Sequence, residues 1–209
     1  NGAPADLGDL RKYDVAVYSG ADNAIRVCDT RVTVYYESCY PNPREPSTIT
    51  VLNGTELDVL PTAMESLAAF RPGDQMTLLL TEDGRVAGAV RSSGNTARGN
   101  AVGIVNGSTV QLLCGTAKIS IQSNDAGSLD GQVVRISSGA PNQVTLSRLG
   151  GGASGDLDVP ARKLGSKALA DNVMIFEGGK DVSLSQLTSA TISGSQILYA
   201  RTNWAGQVD

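Results

Sequence analysis

The chain has 209 residues, 41 % of them hydrophobic and 18 % charged, which is the composition of a folded chain with one sizeable core or two modest ones. It contains no histidine, which removes the commonest general base, the commonest metal ligand and every histidine-dependent triad. The net charge is −4 and the basic residues never run longer than Arg11-Lys12 and Arg162-Lys163, so nucleic acid is not an expected partner.

Residues 1–10 read as a polar lead-in. Strand-like runs follow at 14–18 and 24–36; from Arg31 onward Val32 and Val34 alternate with Arg31 and Thr33, the period-two mark of a strand with one buried face. The three prolines of PNPREP (41–46) lack the donor a ladder needs and predict an exposed loop. Two apolar runs flank Asn53-Gly54, a hairpin signal because both residues tolerate positive φ. Ala63, Met64, Leu67 and Phe70 at helical spacing predict a short helix, with Thr62 and Glu65 as its capping box. A second hairpin turns at Glu82-Asp83-Gly84. The stretch RSSGNTARGN is polar and aperiodic, and predicts a linker over 92–100.

The second half continues in the same manner. Strands flank Asn106-Gly107, another alternates over 118–122, and a further pair flanks Gly139 to Asn142. GGGASG (150–155) predicts a flexible connector. Shorter runs at 173–176, 182–187, 196–201 and from 207 complete the series. The abundance of Val, Ile, Leu and Thr, and 24 glycines placed between the runs, favour short strands and tight turns over helices.

Three stretches recur in order. AIRVCDTRVTV (24–34) is similar to TVQLLCGTAKISI (109–121), ITVLNGTELDVL (49–60) to VMIFEGGKDVSL (173–184), and GDQMTLLLTEDGRVAGAV (73–90) to GSQILYARTNWAGQVD (194–209). This predicts an all-β chain of two tandem barrel-like or sandwich-like domains. The first covers 11–91 and the second 101–209, with a β insertion over about 123–164. The last match stops partway through a hairpin, so the chain is expected to continue in a longer protein.

Few residues qualify for chemistry. Glu82-Asp83, Asp156-Asp158 and Glu56-Asp58 are the nearest carboxylate pairs, but all sit at or beside predicted turns, where acids serve local backbone bonds. Asp156-x-Asp158 lacks the rest of a calcium loop, and GGGASG lacks the Lys-Ser/Thr of a phosphate loop. Cys28, Cys39 and Cys114 have no CxxC spacing; Cys28 and Cys114 read as buried small hydrophobes, and Cys39 can pair with Cys28. Asn53-Gly54-Thr55 and Asn106-Gly107-Ser108 match a glycosylation acceptor but are better explained as turns. No catalytic residue, metal site or cofactor is expected. The aromatic residues Trp204, Tyr199, Tyr36 and Tyr40, with Tyr35 beside them, give the alternative of a sugar-stacking platform. Against it, Tyr35 or Tyr36 packs inward, since strand neighbours face opposite sides, and Trp204 staples a turn.

The runs DLRKYDVAVYSGADNAIRVCDTRVTVYYESCYPNP, TITVLNGTELDVL and FRPGDQMTLLLTEDGRVAGAV, with LADNVMIFEG and ILYARTNWAGQVD further on, resemble large S-layer-homology-domain proteins of gut Firmicutes. The resemblance covers most of 9–209 and supplies no catalytic residues. It implies a secreted protein held on the Gram-positive wall. The expected function is therefore a non-catalytic structural, spacer or interaction module, with a carbohydrate-binding module as the alternative. Expected partners are cell-wall polymer or other surface proteins. No segment is apolar over the roughly 20 residues a membrane span needs, no signal peptide is present, and a monomer is expected.

Overall fold

The computed structural model describes residues 3–94, 97–115 and 117–209. Asn1 and Gly2 of the lead-in, Asn95 and Thr96 of the expected linker, and Thr116 lie outside the described residues. The fold is all-β: strands make up 42 % and helical turns 10 %, and one sheet is curled into a half-barrel. Among the described residues no helix is long and apolar enough to cross a membrane.

Strands β1 (Val15–Ser19) and β2 (Ala24–Cys28) form a hairpin of their own. Next come β3 (Arg31–Tyr35), β4 (Ser38–Tyr40), β5 (Thr48–Val51) and β6 (Thr55–Asp58). In β3 the expected alternation is present, with Val32 and Val34 fully buried and Thr33 facing the other side. The β5–β6 turn carries positive φ at Leu52, Asn53 and Gly54, and the Glu37 carboxylate accepts the Asn53 and Gly54 amides at 2.8 and 2.9 Å. The predicted helix shrinks to one turn, α1 (Met64–Leu67), preceded by a 3-10 turn over Pro61–Ala63. Thr62 therefore lies inside a turn and caps nothing; Ala63 takes the cap position without a side-chain bond.

The main sheet runs in the order β11–β10–β9–β12–β3–β7–β8, with β13 also on β12. Its other strands are β7 (Gln75–Leu80), β8 (Val86–Val90), β9 (Val102–Asn106), β10 (Thr109–Cys114), β11 (Ala117–Gln122), β12 (Val133–Ser137) and β13 (Thr145–Arg148). The sheet curls until its ends approach. The Ala117 amide donates to the Glu82 carbonyl at 3.2 Å, and the three-stranded β4–β5–β6 sheet bridges to β8 through Val59 and Val86. The curl encloses one continuous apolar cluster running from Cys28 to Val144 in sequence.

That cluster corrects the expected division of the chain. Strands β3, β7 and β8 before residues 92–100 and β9 to β13 after them share one sheet and one apolar cluster. The division lies near residue 150. Among the described residues, strands β14 (Gly151–Gly152), β15 (Leu157–Asp158), β16 (Lys163–Leu164), β17 (Lys167–Ala168), β18 (Ile175–Glu177), β19 (Lys180–Val182), β20 (Thr191–Ile192) and β21 (Tyr199–Ala200) pair only with one another. They enclose a smaller cluster built on Leu157, Leu164, Leu169, Ala200 and Val208.

The proposed internal matches fare unequally. Residues 49–60 and 173–184 both form antiparallel hairpins, β5–β6 and β18–β19. In the first match, however, β10 pairs with β11, whereas β2 and β3 pair with β1 and β7 instead of each other. Similar spacing of apolar residues does not dictate the same partner. The 150–155 loop is no flexible connector either: a Cβ on Gly152 would sit 1.9 Å from the Ala200 carbonyl oxygen, and one on Gly155 2.6 Å from Gly165 Cα. These glycines permit backbones to touch.

Candidate functional site

A cleft of about 660 Å³ lies over the outer face of the main sheet where β7, β3, β12 and β13 run side by side. Its floor follows from strand alternation. On β3 and β12 the residues facing away from the core are Thr33, Arg135 and Ser137, and ladder pairing sets Arg135 opposite Ser147 and Ser137 beside Thr33. Gln75, Arg148 and Leu149 complete the floor and rim.

The lip comes from the segment expected to be a linker. Asn100 fixes it: its Oδ1 accepts the Arg31 amide at 2.7 Å and its Nδ2 donates to the Asp29 carbonyl at 2.8 Å. The Asn100 and Ala101 amides both donate to the Arg31 carbonyl, and the Ala101 carbonyl accepts the Ile136 amide at 3.0 Å. Residues 99–101 are thereby wedged between β3 and β12. Gly99 donates to Thr33 Oγ1 at 3.2 Å, and a Cβ there would lie 2.8 Å from both the Thr33 nitrogen and its hydroxyl, so only glycine fits without displacement. This close approach brings Ser92, Gly94 and Arg98 over the floor.

Three arginines, Arg98, Arg135 and Arg148, line one cleft. Among the described residues no carboxylate pairs with any of them, whereas Arg26, Arg85, Arg162 and Arg201 each have an acidic partner. Around them stand hydroxyls. Thr33 and Thr77 share a hydrogen bond at 3.0 Å, and Thr77 donates on to Ser92 at 3.2 Å. A guanidinium is a fixed cation with five donors and no acceptor, so the site offers oxyanion binding with hydroxyl contacts between the charges.

The sequence-predicted residues lie elsewhere. Tyr36 is 1 % exposed and belongs to the large core, which removes it from any surface platform; burial pushes its phenol upward, with the nearby Cys39 adding to the effect. Tyr40 is 71 % exposed on β4. Tyr199 is half-buried on β21, and Trp204, 52 % exposed, tops a turn closed by reciprocal bonds between Asn203 and Gln207. Tyr36 and Tyr40 thus belong to the part of the chain that builds the main sheet, and Tyr199 and Trp204 to the part beyond residue 150. The acidic pairs serve local structure: Asp156 Oδ1 accepts the Gly194 amide and Asp158 Oδ1 the Ala161 amide, while Glu82 pairs with Arg26 and Asp83 with Arg85.

Cys28 and Cys114 are both buried, as their apolar settings predict, and Cys39 is half-buried; all three are free thiols. Cys28 neighbours Cys114, not Cys39. The Cys114 thiol sits against Cys28 and also reaches the Thr81 carbonyl at 2.9 Å, and the Cys28 thiol reaches Thr30 Oγ1 at 3.4 Å. Comparison of the chain with protein-family models, with curated proteins and with solved structures gives no match.

Proposed function

We propose that the chain is a non-catalytic interaction module of a secreted, cell-wall-associated bacterial surface protein, and that it engages its partner through the arginine-lined cleft. The observation that carries this reading is the lining itself: Arg98, Arg135 and Arg148 with serine and threonine hydroxyls, and no carboxylate or thiol among them. Such a set holds a ligand by charge and hydrogen bonds. The wall location is supported by the resemblance of 9–209 to S-layer-homology-domain proteins.

The test is sedimentation of the purified chain with isolated Gram-positive walls, with reducing ends and phosphate assayed in the supernatant. The reading predicts that the chain sediments, releases neither, and stays in solution when Arg135 and Arg148 are both changed to Gln. Release of wall fragments in proportion to added protein contradicts it. The exposure of Trp204 and Tyr40 favours a second reading, stacking on neutral sugar rings; loss of sedimentation on Trp204→Ala, with the arginine variants unaffected, selects that one.

A further inference from the structure

We propose that the cleft is a receptor for an acidic saccharide, a short run of sugar units carrying carboxylate or phosphate. This rests on the reading of the cleft as the interaction site and names what fills it. Three features of the molecule define the ligand.

The first is charge. Three arginines, with no acidic partner among the described residues, line one cleft of a chain whose net charge is −4. Each presents a planar fork that matches a carboxylate or phosphate with two parallel hydrogen bonds. The surplus of acid elsewhere repels a long polyanion that runs beyond the cleft, so the favoured ligand carries its negative charges over a short span.

The second is size. At about 660 Å³ the cleft falls within the roughly 300–1,000 Å³ of small-molecule sites, far more than one inorganic anion fills. The cations also stand on three different elements: Arg98 on the lip, Arg135 on β12 and Arg148 on β13. A ligand touching all of them needs more than one oxyanion, or an oxyanion with a polar body attached.

The third is the chemistry between the charges. Ser92, Ser137 and Ser147 hydroxyls and the Gln75 amide line the interval, each able to donate and accept. That is the complement of a sugar's hydroxyls. Among the described residues no aromatic side chain lines the cleft, and Leu149 is the one large apolar residue there. Nucleobases bind by stacking on aromatic faces and lipids by apolar walls, and neither is offered.

The experiment is calorimetric titration of the whole chain at low salt with four probes: an oligogalacturonate, a phosphodiester-linked sugar oligomer, a neutral dextran oligosaccharide and a single-stranded DNA oligomer. The proposal predicts binding to one or both acidic saccharides, which tells carboxylate from phosphate as the source of the charge. It also predicts affinity that falls as salt rises and a loss of about tenfold for each of Arg135→Gln and Arg148→Gln. Arg135→Lys, which keeps the charge but not the fork, loses part of that. Ser147→Trp blocks the cleft from an exposed position and serves if an arginine variant fails to fold. Equal binding of dextran, tighter binding of DNA, no binding of either acidic probe, or acidic binding untouched by all these variants overturns the proposal. Failure here with wall sedimentation intact leaves the module reading standing without this ligand. Acidic-saccharide binding by a chain that does not sediment with walls removes the wall association and keeps the cleft.

Discussion

At the scale of single residues, Cys28 and Cys114 show how a fold changes ordinary side chains. They read as two small hydrophobes in separate apolar runs, and burial agrees, but the β2 and β10 ends bring the thiols together. The bond from Cys114 lowers Cys28 to about 6 against the desolvation that burial imposes; the same contact and burial push Cys114 up. The pair thus loses its first proton early and keeps its second. Between about 6 and the ordinary thiol range the folded pair has released a proton that the unfolded chain keeps, so stability rises with pH there and is lost as pH falls toward the folded value; above that range the raised Cys114 reverses the trend. Urea unfolding between pH 6 and 8.5 is predicted to show stability rising with pH, and Cys28→Ser to flatten the rise. An unchanged slope in the variant contradicts the pairing. The sequence held both cysteines but no sign of their contact, because proximity across 86 positions (114 − 28) depends on which strands pair. Tyr36, by contrast, was half legible: alternation requires either it or Tyr35 to turn inward, and only the packing decides which.

At the scale of elements, hairpins were the most readable feature. The Asn53-Gly54 and Asn106-Gly107 turns lie where their φ tolerance places them, and each receives a carboxylate at its amides: Glu37 at the first, Asp130 on Gly107 at 2.8 Å. Helix and linker were read less well. A four-residue α1 has too few turns for spacing to fix its cap. RSSGNTARGN reads as a linker because Asn100 and Gly99 are held by polar bonds to β3, and hydrophobic periodicity carries no trace of such bonds. Asn100 is accordingly the residue on which the lip depends. Asn100→Ala leaves the Arg31 amide and Asp29 carbonyl without their side-chain partner, and is predicted to cost about 1–3 kcal/mol in urea denaturation and to weaken ligand binding at the cleft. A variant as stable as the parent, with binding intact, shows that the lip is held by other contacts.

At the scale of the whole molecule, the all-β class followed from turn residues and alternating runs, whereas the division into cores did not. Two apolar clusters exist, but they part near residue 150, because β9 to β13 complete the curl begun by β3, β7 and β8. A half-barrel needs strands from a long stretch of chain, and local patterns cannot show where a sheet stops recruiting them. Small contacts join the cores: Lys118 pairs with Asp181 and lies 5.5 Å from the Phe176 ring, and a Cβ on Gly179 would approach the Val105 carbonyl to 2.6 Å. The same long-range pairing brings three dispersed arginines to the lining of one cleft, which scattered basic residues in the sequence do not reveal.

Hydrogen–deuterium exchange of the whole chain, with and without a saturating acidic oligosaccharide, tests the cleft most directly. The account predicts slower exchange on binding in two stretches far apart in sequence, 97–101 and 133–149, with 199–208 around Trp204 unchanged. Protection confined to 199–208, or no protection in either of the first two stretches, contradicts it.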